Sequence, residues 1–249
     1  MAYTSNWNVP SGYVDLLTND VHVWSALLDV PEDILQLLQQ TLDSDEQIRA
    51  DRFYFEKDRS RFIVCHGLLR TILASYLNIE PGRVMFNYTP NGKPFLVQKF
   101  QGKELQFNLA HSHELALFAL TLDRRIGVDV EQIYGFAETN QLARRILSRQ
   151  ERAEMNKYPQ DEKLETLFRY WTCKEAYVKA TGVGLAQPLE KIHISLMLGS
   201  NARMISINRS VREASRWSLQ ELHPVPGFAA ALVIEGFDFR LNHWQWPLN

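Results

Sequence analysis

Residues 164–185 read LETLFRYWTCKEAYVKATGVGL, and the fold class turns on how this stretch is read. Leu167, Phe168, Tyr170, Ala176, Tyr177 and Val178 cover much of a helix surface with apolar side chains. Trp171, Glu175 and Lys179 recur at four-residue steps and therefore share one helix face. Gly182 and Gly184 supply a helix stop and a tight turn. An exposed Glu–Lys pair at this spacing contributes only about 0.2–0.5 kcal/mol. Beside a tryptophan, on a largely apolar helix, Glu175 is either such a pair or a carboxylate with a chemical task.

A second helical pattern, DRSRFIVCHGLLRTILASYL at 58–77, carries its core face on Phe62, Leu69, Ile72 and Leu73. Its RFIVCHG (61–67) echoes RYWTCKE (169–175). A shorter helical run precedes each long helix. The first, at 44–55, has Ser44 and Gln47 at capping-box spacing, and the second, at 148–154, has Ser148 and Glu151. Pro31, Glu32 and Asp33 open a further helix to Leu38. Strands are predicted at 21–28, 84–88, 95–97, 105–109, 126–131, 192–196, 204–207 and 217–222. Two wholly apolar strands join them at 115–122 and 227–234, and His111 to His113 interrupt the pattern after 109. Trp244 and Trp246 are expected to pack onto the body of the protein.

The repeated order predicts an α+β fold of two similar lobes related by a pseudo-twofold. Each lobe is a small antiparallel sheet packed against a long helix. The lobes are expected at 1–124 and 125–249, with the ligand site in the cleft between them.

Composition narrows the function. A net charge of −2 over 249 residues offers no global field for nucleic acid. The two cysteines, Cys65 and Cys173, show neither disulfide nor metal spacing, which fits a reducing, cytoplasmic setting. The start has no signal-peptide pattern, and no apolar run is long enough for a bilayer. Neither a nucleic-acid nor a membrane partner is expected.

Asp129 and Glu131, two apart on a strand, point to one side while Val128 and Val130 point to the other. Two adjacent carboxylates repel unless a cation or proton intervenes, and Mg²⁺, which prefers oxygen ligands, suits them. Glu175 would be a third ligand; the same pattern also describes a solvated strand end. TPNGKP at 89–94 offers Lys93 as a point charge for phosphate, or is a plain surface turn. His111, in FNLAHSHE, could bond a diphosphate. No third ligand supports zinc at His111 and His113. P-loop, nucleophile-elbow, zincin, kinase and dinucleotide fingerprints are absent.

IGVDVE (126–131) and WTCKEAYVKATGVGL (171–185) resemble the paired signatures of the 4'-phosphopantetheinyl transferases, and NGKP (91–94) and FNLAHS (107–112) resemble two further blocks of that family. The length resembles its larger, monomeric class, which serves fatty-acid, polyketide and nonribosomal-peptide carriers. The resemblance implies transfer of the phosphopantetheine arm of coenzyme A to a serine of an apo acyl or peptidyl carrier protein, releasing 3',5'-ADP. It implies Mg²⁺ on Asp129, Glu131 and Glu175, with Lys179 and His111 on the diphosphate. Lys93, Arg49 and Arg61 would hold the nucleotide end, and Glu175 or Glu151 would act as base. Ala110 stands where relatives often carry serine, and Phe62 where some carry threonine. The segment 133–158 is the expected carrier-docking part, with Ala143, Ile146 and Leu147 beside Arg144 and Arg145. Without the resemblance, the residues also suit a Mg²⁺-dependent phosphohydrolase of a small nucleotide, or a non-enzymatic adaptor for carrier domains.

Overall fold

Two strands are apolar along nearly their whole length, and each forms the centre of a sheet. In the computed structural model, which describes residues 7–12, 14–135, 139–196 and 201–247, they are β5 (Leu115–Leu122) and β10 (Phe228–Glu235). The chain divides into two compact units around them. The first unit comprises residues 7–89, 94–123 and 240–247; the second comprises residues 90–93 and 124–239.

In the first unit the order is β1 (Asp20–Leu27), α1 (Glu32–Gln39), α2 (Ser44–Ala50), α3 (Glu56–Leu77), β2 (Phe86–Tyr88), β3 (Pro94–Leu96), β4 (Leu105–Ser112) and β5. In the second it is β6 (Ile126–Gln132), α4 (Thr139–Ile146), α5 (Arg149–Met155), α6 (Lys163–Thr181), β7 (Ile192–Ser195), β8 (Arg203–Ile207), α7 (Val211–Ala214), β9 (Trp217–Leu222) and β10. The last strand, β11 (Arg240–Gln245), belongs to the first unit. β5 lies between β1 and β4, and β10 lies between β6 and β9, with every one of these pairs antiparallel. The fold is α+β, and each unit pairs one long helix with a sheet built on three antiparallel strands.

The two helices rest on their sheets differently. α3 shares a core with Trp24, Ala26, Phe118 and Leu120. Its Tyr76 hydroxyl accepts the Trp24 indole N–H at 2.9 Å and meets His22 Nδ1 at 2.7 Å. α6 lies on small residues. A Cβ on Gly127 would fall 2.1 Å from the Ala176 carbonyl oxygen and 2.3 Å from the Ala180 nitrogen, so only glycine permits this approach. Asn78 (φ 52°) ends α3 and Gly182 (φ 71°) ends α6, both left-handed caps.

Several local expectations shift. The capping box of α2 uses Asp43 and Glu46 rather than Ser44 and Gln47: Asp43 takes the extended conformation an N-cap needs, and its carboxylate accepts from Glu46 N. α2 ends at Ala50, leaving Tyr54 and Phe55 exposed. β4 continues through His111 to Ser112, because pairing with β5 overrides the polar interruption; the turn comes at His113 (φ 53°). The C-terminal tryptophans do pack onto the body. β11 pairs parallel with β1, bringing Trp244 within 6.0 Å and Trp246 within 5.8 Å of the Trp24 ring. The first sheet therefore has one parallel edge. Among the described residues no helix is long and apolar enough to cross a membrane.

Candidate active site

β6 reads Ile126-Gly127-Val128-Asp129-Val130-Glu131. Its alternation turns Gly127, Asp129 and Glu131 to the side on which α6 lies, while Ile126, Val128 and Val130 are buried on the other. Across the ladder, Asp129 pairs with Ala231 and Glu131 with Ala229, so small neighbours leave the carboxylates room. The Lys179 ammonium, within the last turn of the helix that Gly182 caps, donates to Asp129 Oδ1 at 2.6 Å. Asp129 Oδ2 is buried and has no hydrogen-bond partner. Burial pushes the Asp129 carboxyl up, against the pull of Lys179. Glu175, one turn before Lys179, is also raised, first by burial and then by the Asp129 charge; Lys179 and a Trp171 hydrogen bond oppose this.

Among the described residues no group of three or more His, Cys, Asp or Glu side chains is gathered as a ready-made metal cage. Mg²⁺ needs none, since it commonly takes one or two carboxylates plus waters and substrate phosphates. Asp129 and Glu175 are hard oxygen donors, and the orphaned Asp129 Oδ2 is the buried acceptor a cation would satisfy. These residues fit such an ion, with Glu131 two positions further on the same face of β6.

Glu151 is placed differently from the base expected of it. It is fully buried, and both oxygens are committed. Oε2 accepts from Ser148 N at 2.7 Å and Lys174 Nζ at 2.6 Å, and Oε1 accepts from Ile194 N at 2.8 Å. Lys174, also fully buried, spends its remaining protons on the carbonyls of Ile146 (2.6 Å) and Leu189 (3.1 Å). Burial lowers the Lys174 ammonium, and Glu151 resists that. This knot ties α4, α5 and β7 to α6, and Glu151 acts structurally. Its signal was present in the sequence: Lys174 falls off the 171/175/179 face among buried positions, so it requires an acid partner.

Lys93 likewise does not stand free for a nucleotide. Its ammonium donates to the carbonyls of Ile126 and Ala180, each at 3.1 Å, and burial first, then the Arg125 charge, lowers it to about 8. Ala143, Ile146 and Leu147 belong to the second unit's core rather than to a docking face: α4 turns the first two inward, and Leu147 follows at its end. Arg144 and Arg145 are exposed. With Arg152, Trp171, Glu175 and Leu189 they line a cleft of about 730 Å³.

Arg49, Arg61 and His111 lie in the first unit. The Arg49 guanidinium sits 5.2 Å over the Phe62 ring, which stacks on His66. Arg61 forms a bidentate pair with Asp29 (2.7 and 2.9 Å), which occupies the fork expected to hold a phosphate. His111 is exposed on β4, and the neighbouring Ala110 is buried. Both cysteines are buried, and burial raises the Cys173 thiol, so neither offers a nucleophile.

Residues 125–233 match the model of the 4'-phosphopantetheinyl transferase superfamily, and residues 29–122 match that of the 4'-phosphopantetheinyl transferase N-terminal domain. The chain is 43% identical over 231 residues to 4'-phosphopantetheinyl transferase HetI of Nostoc, covering 93% of this chain and 94% of the relative. It is 23% identical over 155 residues to 4'-phosphopantetheinyl transferase Sfp of Bacillus subtilis, covering 62% and 66%. A holo-(acyl-carrier-protein) synthase of Bacillus anthracis, solved in complex with CoA (3',5'-ADP), aligns over 44% of this chain and 93% of its own, at 22% identity and TM-score 0.37. The near full-length likeness to HetI and the two adjoining domain matches carry the conclusion: this chain belongs to the 4'-phosphopantetheinyl transferase superfamily and is an enzyme of its larger, Sfp-type class.

Proposed function

We propose that the enzyme moves the 4'-phosphopantetheine arm of coenzyme A onto a serine of an apo carrier protein, in a Mg²⁺-dependent reaction that releases 3',5'-ADP. The observation that carries this reading is the Asp129–Lys179 contact with Glu175 alongside and Asp129 Oδ2 left without a partner. In this reaction the serine Oγ forms a bond to the β-phosphorus, the bond to the bridging oxygen breaks, and that oxygen leaves with 3',5'-ADP. The serine proton goes to a carboxylate.

Glu175, which lines the cleft beside Arg144 and Arg145, is the carboxylate placed to take that proton. Asp129 and Glu175 would hold the ion, with Glu131 as the outer ligand, and the bound ion would neutralise charge growing on the phosphoryl oxygens. Lys179 has one partner in Asp129 and spare N–H donors for the diphosphate. Exclusion of water around Asp129 strengthens each of these contacts. The carrier expected here is an acidic, folded domain. The exposed Arg144 and Arg145 at the rim of the cleft that contains Glu175 suit its charge and would bring its serine to the carboxylate.

The test is to incubate the enzyme with coenzyme A, Mg²⁺ and a panel of folded apo carriers and to weigh the carriers. One phosphopantetheinyl arm on the serine supports the proposal. Unmodified carriers with free phosphate appearing would favour a phosphohydrolase. Unmodified carriers bound without Mg²⁺ would favour an adaptor.

A further inference from the structure

The turn at residues 90–93 joins two short strands of the first unit, yet its side chains close the end of the catalytic helix in the second. Asn91 Nδ2 donates to the Gly182 carbonyl at 2.9 Å. Lys93 Nζ bridges the Ala180 carbonyl at the end of α6 and the Ile126 carbonyl at the start of β6. The last carbonyls of a helix lack intrahelical partners and form its negative end, so an ammonium and an amide there are well matched. Gly182 N and the Thr181 hydroxyl serve the Val178 carbonyl, while Ala180 and Gly182 receive theirs from this turn.

From this geometry we infer that Asn91 and Lys93 are positioning residues: they clasp α6 to β6 and hold the axial register in which Lys179 and Glu175 meet Asp129. Ala180 is the residue after Lys179, and Ile126 lies three residues before Asp129. Between these two carbonyls sits Gly127, whose missing side chain lets helix and strand backbones touch. Such a smooth contact fixes how close α6 lies to β6 but supplies no hydrogen bond of its own to set their register. The Lys93 bridge spans both partners at that point and opposes sliding. One residue of helix rise is about 1.5 Å, enough to undo the 2.6 Å Lys179–Asp129 contact. Misplacement of about 1 Å in a reacting geometry costs on the order of 10²-fold in rate. A Cβ on Gly182 would lie 3.4 Å from the Lys93 side chain, so the lysine stem packs against the helix cap.

This inference rests on the transfer reading, and wild-type transfer to an apo carrier is its control. K93M and N91A are compared with wild type for kcat, for KM toward coenzyme A and for thermal unfolding. The clasp predicts that K93M lowers kcat about 10–100-fold while KM for coenzyme A stays within about twofold, and that N91A moves kcat the same way by less. A direct phosphate contact predicts the reverse for K93M: KM rises, its salt dependence weakens and kcat holds. That result, or unchanged kcat in both variants, overturns the clasp. If K93M fails to unfold cooperatively, N91A decides alone: reduced kcat at unchanged KM supports the clasp, and wild-type kinetics overturn it. Absence of transfer by the wild type would count against the proposed function instead.

Discussion

α3 and α6 occupy matching places in the two units and anchor themselves in the same way. A short helix before each opens with a capping box whose glutamate is buried: Glu46 before α3 and Glu151 before α6. Each glutamate binds a fully buried cation of the long helix. Arg70 meets Glu46 at 2.6 Å, and Lys174 meets Glu151 at 2.6 Å. Each cation also takes a backbone carbonyl, that of Val84 for Arg70 and those of Ile146 and Leu189 for Lys174. When RFIVCHG is laid on RYWTCKE, His66 falls on Lys174, and His66 does touch its own unit's capping glutamate at 3.0 Å.

The next position separates the helices. Gly67 is sealed under α1, where a Cβ would lie 2.7 Å from that of Leu38; Glu175 faces a cleft lined by arginines. The strands differ in step: β1 offers His22 and Trp24 to α3, whereas β6 offers Gly127 and Asp129 to α6. One architecture thus carries a neutral, hydrogen-bonded seam in one unit and a charged one in the other. On the proposed reading, the shared knots carry stability and the seam that differs carries the chemistry.

The strongest way to break this comparison is to remove one cation from each knot. K174M and R70M should each lower the unfolding free energy by about 3–5 kcal/mol, because each strands a buried carboxylate, as denaturant titration would measure. A small loss in either would mean that its knot is not the anchor.

On the charged seam, E175Q and D129A should leave the fold intact and cut transfer about 10²–10³-fold, read as kcat on an apo carrier. Wild-type turnover in either would remove that residue from the chemistry.

Acid titration should set the units apart. Burial lowers His22 to about 4, so between pH 6.5 and 4 the unfolded chain binds the extra proton and stability falls as pH drops. The loss should reach about 3 kcal/mol by pH 4 and shrink in H22Q.

Glu175 has the opposite sign. Its folded affinity for a proton exceeds the unfolded one, so ionising it as pH rises above the ordinary carboxylate range costs stability. E175Q should therefore melt above wild type at neutral pH without Mg²⁺, as a thermal scan would measure. A lower melting temperature would contradict a strained seam.

The smallest effect is expected at the cleft rim. Charge reversal at Arg144 and Arg145 should raise KM for an acidic carrier several-fold and leave KM for coenzyme A unchanged, tested by varying each substrate in turn.

What could be foreseen from sequence was local. The two long helices, the central apolar strands and the Ser148–Glu151 box follow from periodicity and capping chemistry, and the structure places them within a few residues of expectation. Adjacent Asp43 and Ser44 both satisfy capping preferences, and only the backbone of Asp43 decides between them. β11 pairs with a strand some 220 residues earlier, a contact no local pattern encodes. Lys93 and Glu151 look like surface groups in a sequence window. Their carbonyl and ammonium partners come from distant segments: the position of Lys174 signals that an acid is needed, and only three dimensions show that it is Glu151 and where the Lys93 ammonium goes.

The most direct test of the charged seam is divalent-ion binding itself. Mn²⁺, used as a paramagnetic stand-in for Mg²⁺, is titrated into the enzyme with coenzyme A, and free ion is read by electron paramagnetic resonance. One ion bound to wild type, with binding lost or weakened at least about tenfold in D129N and in E175Q, is the predicted result. Equal Mn²⁺ binding by all three proteins would contradict the assignment of Asp129 and Glu175 to the ion.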